Sequence, residues 1–210
     1  MKIVPAILEK TWPEIENKIR LVEDLVDWVQ IDVSDGYFTP SLTWHNYEEF
    51  LPEFNVHVEI HLMINEPWLV LEHWFRTPAR RFVLQIEAFL NNSEEYDKII
   101  SLAKKYNKEI VWGFKIETPW QSHEALVKET GRVLFLSVKP GYQGQEIDWQ
   151  VLEKVSSLKS VYPNASISVD GGIKLEHISK IKELGVDSAV VGSAIFESAD
   201  PRQVIAKFLL

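Results

Sequence analysis

Apolar, β-branched-rich segments recur at intervals of roughly 25 residues along the whole chain, each followed by an amphipathic helical pattern. Eight of these segments are predicted as strands, over 2–8, 28–35, 56–63, 81–88, 109–116, 132–139, 166–172 and 186–194. The interval accommodates one strand, one crossover helix and two loops, the unit that links neighbouring parallel strands. Helical patterns such as EIENKIRLVEDL, SEEYDKIISLAKKYN and HISKIKELG lie between them. Thr11-Trp12-Pro13-Glu14 and Thr118-Pro119-Trp120-Gln121 read as capping boxes with proline in the first turn, and Asp148 and Asp200 stand where N-caps are expected. Eight such units either close into a barrel or spread into an open doubly wound sheet. The open sheet usually carries G-x-G-x-x-G after its first strand, and VPAILEKTW contains nothing like it. The reading is therefore a single α/β domain over 1–210, a (β/α)8 TIM barrel.

Strands of a parallel barrel are covered on both faces and normally read as unbroken apolar runs. Several here break that rule on one parity: Gln30, Asp32 and Ser34; His57, Glu59, His61 and Met63; Gln85 and Glu87; Lys115; Ser168 and Asp170. Residues two apart share a face. The opposite parity (Val29, Ile31, Val33; Val58, Ile60, Leu62) suits a helix layer, so the polar stripe is expected to point into the barrel. Each residue alone reads as an ordinary hydrogen-bonded interior group. Taken together, Asp32, Glu59, Glu87 and Asp170 bring four carboxylates against one lysine and a titratable histidine. Such a cluster calls for a bound cation or unusual protonation. Asp32, His61 and Asp170 lie furthest toward the C-terminal strand ends and suit Zn, Mn, Fe or Mg.

Charge restricts the partners. With 31 acidic against 22 basic residues, a net charge of −9, the chain has no basic footprint for nucleic acid or an anionic membrane. Any phosphate must be held by backbone N–H groups at glycine-rich loops. Such loops follow strands six to eight: Lys139-Pro140-Gly141-Tyr142-Gln143-Gly144-Gln145, Asp170-Gly171-Gly172 and Gly192-Ser193. A barrel commonly binds phosphate beyond strands seven and eight. The absence of cysteine removes disulfides, thiolate metal sites and cysteine nucleophiles. MKIVPAIL is too short for the apolar region of a signal peptide, and no run approaches the ~20 apolar residues of a membrane helix. A cytoplasmic location is expected.

Along nearly its whole length the chain resembles ribulose-phosphate 3-epimerases. The matching strings, in order, are VPAIL, IDVSDGYFTPSLT, VEIHLMINEP, IEA, LSVKPGYQGQ, SVDGGI and VVGSAIF. The resemblance implies a divalent metal and a phosphorylated sugar, with ribulose 5-phosphate inverted at C3 to xylulose 5-phosphate through a 2,3-enediolate, a step of the pentose phosphate pathway. It also implies Asp32 and Asp170 as the acid–base pair, with His61 joining them as metal ligands. Gly144, Gly171, Gly172, Gly192 and Ser193 match the phosphate loops, and Met63 matches a residue walling the reacting carbons.

Several positions depart from the family pattern. Gln30 replaces a metal-binding histidine, and its side-chain carbonyl is a candidate ligand for a hard cation though a poorer one for zinc than imidazole. Ala6 replaces a serine, Gln85 a histidine, Ser34 and Leu136 methionines, and Gln143 a glycine; the GFKIETP loop is short. These changes cluster at the site. They keep open a second reading, an epimerase-derived barrel that binds sugar phosphate without efficient turnover. A third reading, the decarboxylase or hexulose-phosphate synthase branch, needs Asp-x-Lys-x-x-Asp, and Asp32-Val33-Ser34-Asp35 lacks the lysine. Lys115 is expected to neutralise Glu59 or Glu87 inside the barrel. Trp12, Trp44, Trp68, Trp74 and Trp120 read either as packing against the barrel or as an interface in a homo-oligomer.

Overall fold

Eight parallel strands hydrogen-bond in sequence order and the eighth returns to the first, closing a barrel in a computed structural model that describes residues 1–50, 53–90, 92–142 and 144–210. The strands are β1 (Lys2–Ile7), β2 (Trp28–Ser34), β3 (His57–Met63), β4 (Arg81–Gln85), β5 (Glu109–Phe114), β6 (Arg132–Leu136), β7 (Ser166–Asp170) and β8 (Ser188–Val191). They begin close to the expected positions, and all but β3, which ends at Met63 as expected, stop short of the expected ends. Past Gln85 the chain winds into a 3-10 turn over Ile86–Phe89, and past Leu136 and Asp170 it leaves the ladder to build the barrel mouth. Gln143 lies outside the described residues.

The outer layer contains α1 (Trp12–Val22), α2 (Leu71–Phe75), α3 (Glu95–Tyr106), α4 (Glu124–Thr130), α5 (Val151–Val161), α6 (Ile178–Glu183), α7 (Ser193–Phe196) and α8 (Pro201–Leu209). Among the described residues the β2–β3 crossover has only a 3-10 turn, Tyr47–Glu49. Aromatic rings do a helix's covering work there: Trp12 lies 5.0 Å from Trp44 and 5.3 Å from Phe50, centroid to centroid. Trp12, Trp44, Trp74 and Trp120 are buried and Trp68 packs partly buried on the same core, so packing accounts for these tryptophans.

The caps are mixed. Asp200 accepts from the Gln203 N–H at 3.0 Å and starts α8 as expected. Asp148 sits two residues ahead of the N-cap Gln150 and accepts from its N–H at 2.9 Å. Thr11 does precede α1, yet its hydroxyl donates to Glu14 at 2.7 Å in place of capping. The segment from Thr118 opens on a 3-10 turn, Trp120–His123, without a side-chain cap. Neither threonine forms the expected box.

Strand alternation produces two apolar layers, as the period-two rule requires. Val29, Ile31, Val33, Val58, Ile60 and Leu62 join the cluster shared with the helices. Val4, Ala6, Val83, Val111, Leu134, Leu136 and Val190 form a separate cluster inside the barrel. The interior polar groups divide by height. Glu59 lies at the floor, where Arg81 reaches it at 3.3 Å while also binding Glu109 at 3.0 Å. Burial pushes the Glu59 carboxyl upward, and the nearby Arg81 only partly opposes this.

Two expectations about these charges are corrected. Glu87 stands on the 3-10 turn, where it accepts from the Lys115 backbone N–H at 2.9 Å, so it does not share the inner stripe. Lys115 follows β5 and its Nζ lies 4.4 Å over the Phe38 ring. Arg81, on β4, is what answers Glu59. The four carboxylates therefore never gather into one cluster.

Candidate active site

Asp32 on β2, His61 on β3 and Asp170 on β7 converge at the C-terminal mouth, with one ligand atom of each lying within 4.8 Å of the others. The register sets Asp32 opposite His61, which puts imidazole and carboxylate at one height. Nδ1 of His61 lies 3.4 Å from Asp32 Oδ1 and 3.4 Å from Asp170 Oδ2. Between them, the Gln30 side-chain NH2 donates to Asp32 Oδ1 at 2.8 Å and to Asp170 Oδ2 at 2.9 Å. On the far side of the imidazole, the Gln85 amide meets His61 Nε2 at 2.7 Å.

Both aspartates are held by their backbones. The Thr43 hydroxyl donates to the Asp32 carbonyl at 2.9 Å, and Ser137 donates to the Asp170 carbonyl through N–H (2.8 Å) and hydroxyl (2.9 Å). Neither Thr43 nor Ser137 is apparent in the sequence as part of the site, because their contacts cross between strands and loops. Ser34, although adjacent, is fully buried and donates to the Ser41 carbonyl at 2.7 Å, serving the β2 loop.

The electrostatics follow from burial. Burial opposes charge on His61, but hydrogen bonds to Asp170 and Asp32 outweigh it and lift the pKa to about 9. Burial raises Asp32, His61 opposes that rise and the charge of Asp170 adds to it. A hydrogen on His61 Nε2 needs an acceptor, and Gln85 supplies one when its amide is turned to present Oε1.

The donor set fits a divalent cation. Two carboxylates and an imidazole nitrogen are within reach of one another, and the buried Gln30 Oε1 beside them has no hydrogen-bond partner.

A cavity of about 60 Å³ opens above this group and brings together Ala6, Asp32, His61, Met63, Leu136, Gly144, Asp170, Gly171, Gly172, Gly192 and Ser193. Gln30 lies beneath it, completely buried. Leu8, Val138, Pro140, Gly141 and Tyr142 complete its walls. The β6 loop curls over the opening, tied by Gln145 Nε2 to the Lys139 and Tyr142 carbonyls at 2.6 and 2.9 Å. Gly172 lets this loop pack on the β7 turn: its φ is +65°, and a β-carbon there would stand 2.4 Å from the Ile147 nitrogen. A larger groove of about 890 Å³ shares Leu8, Gly141 and Tyr142 as a dividing wall, but Asp32, His61 and Asp170 do not line it. The smaller cavity is therefore the candidate site.

Residues 2–196 match the sequence profile described as the ribulose-phosphate 3 epimerase family. A ribulose-phosphate 3-epimerase of Helicobacter pylori (strain J99) is 30% identical over 213 residues, covering 98% of this chain and 95% of that protein. One of Schizosaccharomyces pombe is 28% identical over 211 residues, covering 98% and 91%. Among solved structures, 3-hexulose-6-phosphate synthase from Salmonella typhimurium superposes with a TM-score of 0.74 at 21% identity, covering 99% of this chain and 96% of that one. The tryptophan synthase α-subunit of Pyrococcus furiosus superposes with 0.76 at 13% identity, covering 99% and 96%. At these identities the structural likeness establishes the barrel alone. Among the described residues no helix is long and apolar enough to cross a membrane.

Proposed function

The chain belongs to the ribulose-phosphate 3-epimerase family, and from that premise we propose that it is a metal-dependent ketose-phosphate 3-epimerase that interconverts D-ribulose 5-phosphate and D-xylulose 5-phosphate. The observation that carries this reading is the pair of carboxylates from two separated strands, Asp32 on β2 and Asp170 on β7, facing one small cavity. Inversion at C3 needs a base on one face of the sugar and an acid on the other. One aspartate takes the C3 proton as the 2,3-enediolate forms, and the other returns a proton to the opposite face. In the reverse reaction the roles exchange. Burial keeps Asp32 easier to protonate than a free aspartate, which suits a group that must both take and give a proton.

Asp32, His61 and Asp170 would hold the cation, of the Zn, Mn, Fe or Mg class. When bound, it supplies positive charge beside the developing enediolate. Met63, Leu136 and Ala6 give the reacting carbons an apolar wall. Gly144, Gly171, Gly172, Gly192 and Ser193 offer backbone N–H groups for the phosphate, the means by which a chain of net charge −9 can hold an anion.

The test is deuterium uptake at C3 of ribulose 5-phosphate in D₂O, with each of the four metals added to chelator-treated protein. Uptake that vanishes on chelation and returns with a metal is expected. No uptake with any metal overturns the reading. A second reading, binding without turnover, is favoured by the Gln30 NH2 lying between the two carboxylates. Under it, sugar phosphate binds while C3 exchange stays at the uncatalysed rate.

A further inference from the structure

Two side-chain oxygens buried beside the convergent residues have no hydrogen-bond partner: Gln30 Oε1 and Gln85 Oε1. Both glutamines are completely buried, and the amide nitrogen of each touches the Asp32–His61–Asp170 group. A primary amide keeps nearly the same outline when turned by half a revolution about its last bond, but donor and acceptor change places. Two orphaned carbonyl oxygens at one site therefore mark amides with a second use.

The first use is visible. Both hydrogens of the Gln30 NH2 are spent on Asp32 Oδ1 and Asp170 Oδ2, at 2.8 and 2.9 Å, tying the two carboxylates together. The same nitrogen is 3.3 Å from His61 Nδ1, so it sits among the atoms that would ligate a cation. A cation held by those atoms reverses the demand, because an NH2 group cannot face it and an amide oxygen can. Turning the amide carries Oε1 to the place Nε2 now fills. On the other side, Nδ1 can offer a lone pair to a metal only if the ring hydrogen is on Nε2. That hydrogen then needs an acceptor, and Gln85, 2.7 Å away, has an idle carbonyl oxygen.

We propose that Gln30 is a two-faced amide, latching Asp32 to Asp170 through its NH2 in the metal-free protein and turning to ligate the cation through Oε1 in the loaded one, while Gln85 is a positioning residue that holds His61 with Nδ1 toward the metal. The inference rests on the metal-dependent reading above. Its consequence is selectivity. An amide oxygen is a harder donor than an imidazole nitrogen, so the site discriminates less in favour of zinc over manganese than the same site with histidine would. Gln85 acts as an outer support of the histidine ligand, where loss of the partner ordinarily costs 10–100-fold in metal affinity, roughly.

The experiment is a calorimetric titration of chelator-treated protein with Zn²⁺ and Mn²⁺ separately, thermal midpoints confirming that each variant is folded. Gln30→His is expected to raise the Zn/Mn affinity ratio about tenfold or more. Gln85→Leu is expected to weaken both metals by about 10–100-fold, and Gln85→Glu, which keeps an acceptor against Nε2, to restore them. If wild-type protein binds metal while Gln30→His leaves the ratio unchanged and Gln85→Leu leaves both affinities unchanged, the amide proposal is wrong and the metal-dependent reading stands. If wild-type protein binds neither metal yet still exchanges the C3 proton, the metal-dependent reading falls and the amide proposal falls with it.

Discussion

Gly113 lies opposite Gln85 in the β4–β5 ladder, and a β-carbon on that glycine would stand only 2.5 Å from Gln85 Nε2. The glycine is required by space: its missing side chain is the floor on which the Gln85 amide rests against His61. Gly113→Ala must push Gln85 away or strain the barrel, and overpacking of this kind costs about 1–3 kcal/mol. A lower thermal midpoint together with slower C3 exchange is expected. An alanine variant with wild-type stability and exchange rate would show that Gln85 has room to move and that its position matters little.

Under the proposed mechanism the two aspartates address opposite faces of the sugar, so removing either should stop epimerisation without erasing all proton exchange. Asp32→Asn and Asp170→Asn are each expected to lower kcat by about 10²–10⁴. Exchange at C3 followed by NMR should then survive for one epimer in one variant and for the other epimer in the other. Equal residual exchange of both epimers in both variants would contradict the two-face assignment.

At the barrel floor, Arg81 is the cation nearest to the buried Glu59, at 3.3 Å, and its guanidinium also stacks 3.8 Å from the Trp28 ring centre. Arg81→Met leaves a buried carboxylate without its counter-charge, a loss of about 3–5 kcal/mol for pairs of this type. Denaturant titration should show the loss, and adding Glu59→Gln should recover a large part of it. Because neither Glu59 nor Arg81 lines the cavity at the mouth, the affinity for sugar phosphate should change little in the folded fraction. Full stability of Arg81→Met would mean that Glu59 is carried protonated.

Glu72 offers a pH-dependent check on the outer shell. Hydrogen bonds from Tyr106, Arg76 and Lys105 hold its carboxyl down at about 2. A depressed acid contributes stability that is present above its unfolded pKa and disappears as pH falls through the folded value. Glu72→Gln should therefore have a lower midpoint than wild type at pH 6, with the gap closing between pH 4.5 and about 2. The site is exposed and the gap is small, so a gap that does not change with pH is the outcome against this account.

The sequence alone determined the architecture and the inward parity of Gln30, Asp32, Glu59, His61 and Asp170, because both are written at short range. The recurrence of apolar segments sets the number of strands, and alternation in Gln30-Ile31-Asp32 and Glu59-Ile60-His61 says which residues face inward. The glycines of the β6, β7 and β8 loops likewise announced the end of the barrel where the cavity lies. Tertiary structure decided height. Inward residues of different strands meet only when the stagger of the closing sheet puts them at one level, and that stagger is a property of all eight strands together. It sent Glu59 down to Arg81, left Glu87 and Lys115 off the inner wall, and drew Gln30 and Asp170, 140 positions apart, into hydrogen-bond contact. The composition showed that the barrel holds acidic groups needing partners. Only the closed sheet could say that the partner of one is an arginine and that two others share a glutamine.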